Sequence, residues 1–286
     1  WLSGAEFLYY PNKLLPRLFQ EALTIRQLCV FIRNNNPDIV ICLDDKSCLL
    51  ASLAKKFHNF KLVTWLHRSI HTFKHKEYLS LADAHISISK SISSDIEQIT
   101  RSSDNIFLLY NCFDTPEINY SAQTNRNKDH ILYIGRIEYE GQKYLKDLIT
   151  AISKTTGNVH LDIIGDGPEI EKNKLTKQIT SLGLSSRIHF HGWKQNPWEY
   201  IKQSNLDSAK ALCLTSTYEG FPLIIIEALS QGFFVISSDC PTGPNEIITR
   251  KNGRLFKTHD TNTLASLLDD ESITNYKSQE IIATVK

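Results

Sequence analysis

Two glutamates, Glu219 and Glu227, are separated by seven residues in the stretch TSTYEGFPLIIIEAL (215–229). The apolar run ALCLTS (211–216) reads as a strand buried on both faces, and Gly220 with Pro222 punctuates its end. Pro222 fits the first position of a helix, where its missing N–H costs nothing. LIIIEALSQG then continues as a helix that ends at Gly232 and carries Glu227 among apolar neighbours. A carboxylate in that setting needs a partner. The O–H donors of a sugar or ribose diol can supply one, and the free N–H groups of a helix start suit a phosphate. Strand, acidic turn, helix and second acid together describe a pocket for a sugar nucleotide. The bland alternative pairs Glu227 with a neighbouring Lys or Arg and leaves Glu219 as a solvated turn residue.

The elements around this stretch alternate between strand and helix, the pattern of parallel sheets with crossover helices. In the first half, a long helix ends before Pro37 and is followed by strand DIVICLD, helix KSCLLASLAKKF and strand KLVTWLH. A helical stretch to Ala82, strand HISIS, helix KSISSDIEQIT and strand NIFLLYN come next, the last ending at Asn111. Residues 114–129, rich in Asn, Thr and Ser, have no apolar period and read as a linker. The second half repeats the alternation through Asp270. Two Rossmann-like domains are expected, 1–120 and 121–286, and such domains bind ligands at the carboxyl ends of their strands. Arg136, Gly165, Trp193 and Glu219 all fall just after expected strand ends.

Other residue patterns favour chemistry less. His67, His71 and His75 share helical spacing, but His67 belongs to the strand KLVTWLH and no HExxH is present, so no metal site is expected. GxGxxG is absent as well, which argues against a nicotinamide dehydrogenase.

The Glu219/Glu227 spacing, with GFP after the first Glu, resembles that of the retaining GT-B glycosyltransferases of family four. The first Glu of that motif approaches the donor sugar and the second holds the nucleotide ribose. ILYIGRIEYEGQKYLKDLI (131–149) resembles the family's first donor-domain strand and loop, whose Arg and Lys meet the diphosphate; these would be Arg136 and Lys143. The loop is longer than the commonest family form. IIGDGPE (163–169) resembles the Gly-rich turn after the second strand, and HFHGW (189–193) the segment whose backbone meets the base. SSDCPTGPNEII (237–248) resembles the turn and helix after the next strand. His67 stands where the family keeps a His near the donor sugar and its leaving phosphate. Asn111 resembles its Asn before the linker.

The resemblance therefore implies a catalytic group of Glu219, His67, Arg136 and Lys143. Donor contacts would come from Glu227, Arg136, Lys143, Gly165, Trp193 and the turn Gly220, Phe221, Pro222 and Leu223. It also implies a GT-B fold, an α/β architecture of two Rossmann-like parallel-sheet domains facing across a cleft, and retention of anomeric configuration by front-side attack. On that reading Glu219 orients sugar hydroxyls; a covalent role for it would show as a trapped glycosyl adduct. EGQKYLKDL, GWKQNPWEYI, ALCLTSTYEGFP and SSDCPTGP look most like the corresponding segments of the lipopolysaccharide core 1,6-galactosyltransferases, which take galactose from UDP-galactose. Departure of the diphosphate needs a metal or fixed positive groups. The chain has no Asp-x-Asp motif, and Arg136, Lys143 and the helix start near Pro222 can serve instead, so no metal or other cofactor is expected beyond the UDP-sugar co-substrate.

Composition is consistent with that reading. The 286 residues suffice for one large domain or two. The net charge of +1 falls in residues 1–125 and the remainder is neutral, which argues against nucleic acid as a partner. Six scattered cysteines, without CxxC or a secretion signal, read as reduced thiols of a cytoplasmic protein. No apolar run is long enough to span a bilayer. WLSGAEFLYYPNKLLPRLF (1–19) mixes aromatics with Lys13 and Arg17 and could lie on the cytoplasmic face of the inner membrane, as a glycan acceptor of the lipopolysaccharide core requires, or could be an ordinary packed helix. The chain contains no Met and opens without the strand and Gly-rich turn that usually begin a GT-B domain, so the amino-terminal domain is expected to be incomplete. Three alternatives stay open: a transferase using UDP-glucose or a UDP-N-acetylhexosamine, a UDP-sugar epimerase, and a non-catalytic nucleotide-sugar-binding protein.

Overall fold

The structure, a computed structural model, describes residues 17–113 and 127–285. The aromatic segment 1–19 with Lys13 lies outside them apart from the first residues of a helix, as does most of the expected linker. Contacts divide the chain into two units, Trp1–Tyr110 and Asn111–Lys286, where the sequence suggested a division after residue 120.

Unit 1 holds a four-stranded parallel sheet of order β1-β2-β3-β4: β1 (Ile39–Cys42), β2 (Lys61–Leu66), β3 (Ala84–Ser87) and β4 (Ile106–Leu108). Helices α1 (Arg17–Asn35), α2 (Asp45–Lys55) and α3 (Lys90–Thr100) accompany it. Local chemistry sets the helix starts. Asp44 caps α2 by accepting from the Ser47 N–H at 2.7 Å while Ser47 Oγ accepts from the Asp44 N–H at 3.2 Å, a reciprocal capping box. Ser89 accepts from the Ile92 N–H at the start of α3, whose Ile92 and Ile96 are fully buried. Two expectations change here. The helical stretch to Ala82 is a pair of short 3-10 helices, Ile70–Thr72 and Lys76–Leu81, and β4 stops at Leu108, so Asn111 lies beyond the strand it was expected to end.

Unit 2 holds a six-stranded parallel sheet of order β10-β9-β8-β5-β6-β7. Its strands are β5 (Asn127–Ile134), β6 (His160–Ile164), β7 (Ile188–Gly192), β8 (Ala209–Leu214), β9 (Phe234–Ser238) and β10 (Gly253–Phe256). Between and after them run α4 (Leu145–Lys154), α5 (Glu169–Ser181), α6 (Pro197–Gln203), α7 (Leu223–Ser230), α8 (Pro244–Ile247), α9 (Thr261–Asp269) and α10 (Ser278–Ile282). Every residue of β8 and β9 is buried, as expected of central strands covered on both faces. The strand order reverses between β5 and β8, which opens a crevice at their carboxyl ends.

One face of β5, β6 and β7 carries a network of histidines. Asp162, 2% exposed, accepts from His130 Nδ1 at 2.9 Å and from His191 Nε2 at 2.8 Å, and His191 Nδ1 faces the Tyr200 hydroxyl at 2.8 Å. Burial alone would raise the Asp162 carboxyl, but the two imidazole contacts outweigh it and hold it below its ordinary 3.8. The contact with Asp162 lifts His130 above 6.5 against the opposing effect of burial. Asp162 therefore contributes stability at pH above its unfolded value, lost as the pH falls through its lowered one. His130 contributes fully below its unfolded value and loses that contribution as the pH rises through its raised one. Thermal melts of the parent and of Asp162→Asn should differ most between those limits, in mildly acid solution, with the gap narrowing toward pH 8; a gap that widens with rising pH would contradict the pairing.

All six cysteines are free. Burial raises the Cys42 thiol to about 11 and those of Cys48 and Cys240 to about 12, so these sulfurs stay protonated and unreactive at neutral pH. Among the described residues no helix is long and apolar enough to cross a membrane.

Candidate active site

Three strand ends meet at the crevice. The Gly135 N–H donates to Ile164 O and the Gly165 N–H to Gly192 O, each at 3.0 Å, and the Ile137 N–H donates to Asp166 O at 2.9 Å. These bonds bring the turns after β5, β6 and β7 into direct backbone contact. Beside them lies a crevice of about 250 Å³ lined by Arg136, Gly165, Asp166, Trp193, Lys194 and Pro197, among others. Arg136, Gly165 and Trp193, singled out from the sequence, thus share one surface. Trp193 is 67% exposed.

The loop after β5 is laced to the loop after β8. The Thr217 N–H donates to Gln142 O at 2.8 Å, its hydroxyl to Gly141 O at 2.9 Å, and the Thr215 hydroxyl to Lys143 O at 3.0 Å. This lacing sets Lys143 against Glu219, with Nζ 2.7 Å from Oε1. Gln142 bridges the remaining groups. Its amide nitrogen donates to Glu219 Oε2 and to Tyr218 O, each at 3.2 Å, and its Oε1 accepts from Arg136 Nη2 at 2.7 Å. Arg136 also pairs with Glu138 at 3.1 Å, and Tyr133 anchors the loop by donating to Arg136 O at 2.6 Å. A continuous chain of polar contacts therefore runs Arg136, Gln142, Glu219, Lys143. Glu219 is only 7% exposed, so it is not a solvated turn residue.

The turn after β9 clamps the acidic turn from the other side. The Glu219 N–H donates to Pro241 O at 3.2 Å, and the Thr242 hydroxyl donates to Glu219 O. At Gly243, φ is +97° and an added Cβ would stand 2.5 Å from Pro222 Cδ. Pro222 sits one position earlier than expected, as the N-cap of α7 rather than its first helical residue. Its carbonyl accepts from the Ile225 N–H at 3.0 Å, which leaves the N–H groups of Leu223 and Ile224 as donors of the first turn without a partner among the described residues. Gly220 and Phe221 form the turn that delivers them.

Glu227 lies one turn into α7. Its partner is Trp198, whose Nε1–H donates to Oε2 at 3.0 Å; no Lys or Arg among the described residues pairs with it. Trp198 follows Pro197, a residue of the crevice wall. Neither glutamate lines that crevice itself; each connects to it through a neighbour, Glu219 through Gln142 and Glu227 through Trp198. Sequence reasoning missed both neighbours. Gln142 is adjacent to Lys143 in a loop already singled out, and Trp198 follows the helix-start signal Asn196-Pro197, where the Asn196 side chain caps the Glu199 N–H at 3.2 Å.

His67 belongs to unit 1. It stands just past the end of β2 with its ring 4.8 Å from that of Trp65, and partial burial lowers its pKa below 6.5, which keeps the imidazole neutral at neutral pH. His71 pairs with Asp95 at 3.3 Å and His75 with Glu77 at 3.2 Å, so the three histidines do not converge. Among the described residues no group of His, Cys, Asp and Glu is arranged to hold a metal ion.

The family model for glycosyl transferases group 1 matches residues 114–282, more than half of the chain and the whole crevice. The chain belongs to that family. This glycosyltransferase is 34% identical over 272 residues to the lipopolysaccharide 1,6-galactosyltransferase of Escherichia coli K12, covering 94% of this chain and 75% of that protein. Its structure superposes on that of the lipopolysaccharide outer core galactosyltransferase WaaB with a TM-score of 0.82 and 32% identity, over 96% of this chain and 77% of that one. The expected GT-B fold is thereby established for the enzyme. A structure of Anabaena HepE with UDP shares the fold at a TM-score of 0.73 and 21% identity, over 95% of this chain and 79% of that one.

Proposed function

We propose that the enzyme transfers galactose from UDP-galactose to a lipopolysaccharide core acceptor, with retention of configuration and without a metal. The observation that carries this reading is the polar chain Arg136, Gln142, Glu219, Lys143 at the strand-order reversal, beside the open N–H groups of α7. The galactosyltransferases named above supply the donor sugar and the acceptor class. In this reading Arg136, Lys143 and the Leu223 and Ile224 N–H groups receive the diphosphate, which disperses its charge as the bond to the sugar breaks. A bound phosphate gives Lys143 a second anion and releases a Glu219 oxygen for the sugar hydroxyls. Trp193 and Gly165 border the base and pyrophosphate, and Glu227 accepts from the ribose. The enzyme works on the cytoplasmic face of the inner membrane, where such an acceptor is built.

Incubation with UDP-galactose and a truncated lipopolysaccharide core tests the reading. An α-linked product by NMR supports it; faster turnover of UDP-glucose or UDP-N-acetylglucosamine reassigns the donor, and UDP binding without turnover overturns the transferase mechanism. Excess EDTA should leave turnover unchanged, because fixed cations rather than a metal meet the diphosphate. A loss reversed by Mg²⁺ or Mn²⁺ would refute that part.

A further inference from the structure

Of the two pocket glutamates, Glu219 is paired with a cation and Glu227 with an indole. We propose that Trp198 is a positioning residue that holds one oxygen of Glu227 so that the other is presented to the ribose diol of the nucleotide; this rests on the reading of Glu227 as the ribose acceptor. An indole N–H is a single neutral donor. It fixes Oε2 at 3.0 Å without cancelling the charge that makes Oε1 a strong acceptor, whereas an Arg fork in the same place would occupy both oxygens. Glu227 is half-buried on α7, with no other side-chain hydrogen bond among the described residues, and without Trp198 it would have to surrender its rotamer freedom at the moment of binding.

Trp198 is itself packed in place. It is 3% exposed, its ring lies 5.9 Å from that of Phe233, and its backbone is set by Pro197 at the helix start and the Asn196 cap. The same Pro197 lines the crevice, so the residue that orients Glu227 is covalently joined to the pocket wall.

Calorimetric titration of UDP and of 2′,3′-dideoxy-UDP into the parent, Trp198→Phe and Glu227→Ala separates positioning from packing. The parent should prefer UDP by about tenfold or more, the range of a hydrogen bond to a charged group. Trp198→Phe keeps an aromatic ring, though a smaller one than indole, and loses the N–H. It should weaken UDP about three- to tenfold while the dideoxy analogue stays within about twofold, so that the preference collapses toward that of Glu227→Ala. Equal weakening of both ligands, or an intact preference, makes Trp198 a packing residue and overturns the proposal while the ribose reading stands. A parent without preference, or a Glu227→Ala variant that keeps it, removes the ribose reading and the proposal together. Should Trp198→Phe fail to fold, benzothienylalanine at position 198, indole-shaped but without the N–H, gives the same discrimination.

Discussion

Replacing Glu219 with glutamine should lower turnover by about a hundredfold to a thousandfold while UDP binds as tightly as before or slightly tighter. The two effects have one physical origin. Glu219 holds the Lys143 ammonium at 2.7 Å, so on the proposed reading the carboxylate competes with the diphosphate for that cation. Glutamine keeps the shape and can still meet Gln142, but it carries no charge and frees Lys143 for the phosphates. What it cannot do is accept strongly from sugar hydroxyls as positive charge builds on the sugar ring during departure of the diphosphate. Such an interaction, absent from UDP itself, acts on the rate rather than on nucleotide affinity. Steady-state kinetics together with UDP calorimetry reads both quantities. A variant that loses UDP affinity and keeps its kcat would show that Glu219 serves nucleotide binding instead.

Gly165→Ala should remove the folded unit 2 altogether, or cost more than about 4 kcal/mol. A Cβ at Gly165 would stand 1.8 Å from Gly135 O, and the backbone φ of +152° is one that side chains rarely adopt. The obstacle is backbone, not a side chain that can swing aside, and both turns are tied to strand ends: the Gly135 N–H to Ile164 O and the Gly165 N–H to Gly192 O. Relieving the clash means parting β5 from β6 where the pocket forms. Gly183→Ala is the control, since φ there is +69° but nothing lies within 4 Å of the added carbon. It should cost only about 1 kcal/mol, the strain of a left-handed alanine. Urea denaturation of the two variants checks the contrast, and similar stabilities would show that the turns after β5 and β6 are not rigidly packed.

Where a local signal coincides with a tertiary demand, the sequence is legible. Helix α3 spans the stretch KSISSDIEQIT read from the sequence because Ser89 caps it and its isoleucines recur on the buried face. Strand β8 followed by α7 is legible for a related reason: an uninterrupted apolar run, then Gly and Pro, leaves few other structures open. The stretch before Ala82 misleads because its period is compatible with any helix, while its aromatics and histidines fold as two 3-10 turns. NIFLLYN is apolar enough for seven residues of strand, yet β3 pairs with only three of them, from Ile106 to Leu108. At the site, charged residues stand out in a sequence and their neutral partners do not. Gln142 and Trp198 became visible only once the sheet brought loop 141–143 against loop 215–219 and α6 beside α7. The Asp162 network with His130 and His191 was missed for the same reason, as its members come from three strands.

Lys143 and Glu219 are 76 residues apart in the chain, and they meet because β8 inserts beside β5 rather than following β7 at the edge. That placement has a kinetic meaning. Non-local pairing must overcome loop-closure entropy before it is rewarded, so the β5–β8 seam belongs among the late events of folding. Until it closes, the first half of unit 2 can pair β5, β6 and β7 and bury apolar surface, yet it presents Lys143 without its acid. Assembly of the sheet and pairing of Lys143 with Glu219 are then a single step, and a chain emerging from the ribosome is expected to complete this pair only after β8 and the turn that follows it are free to fold.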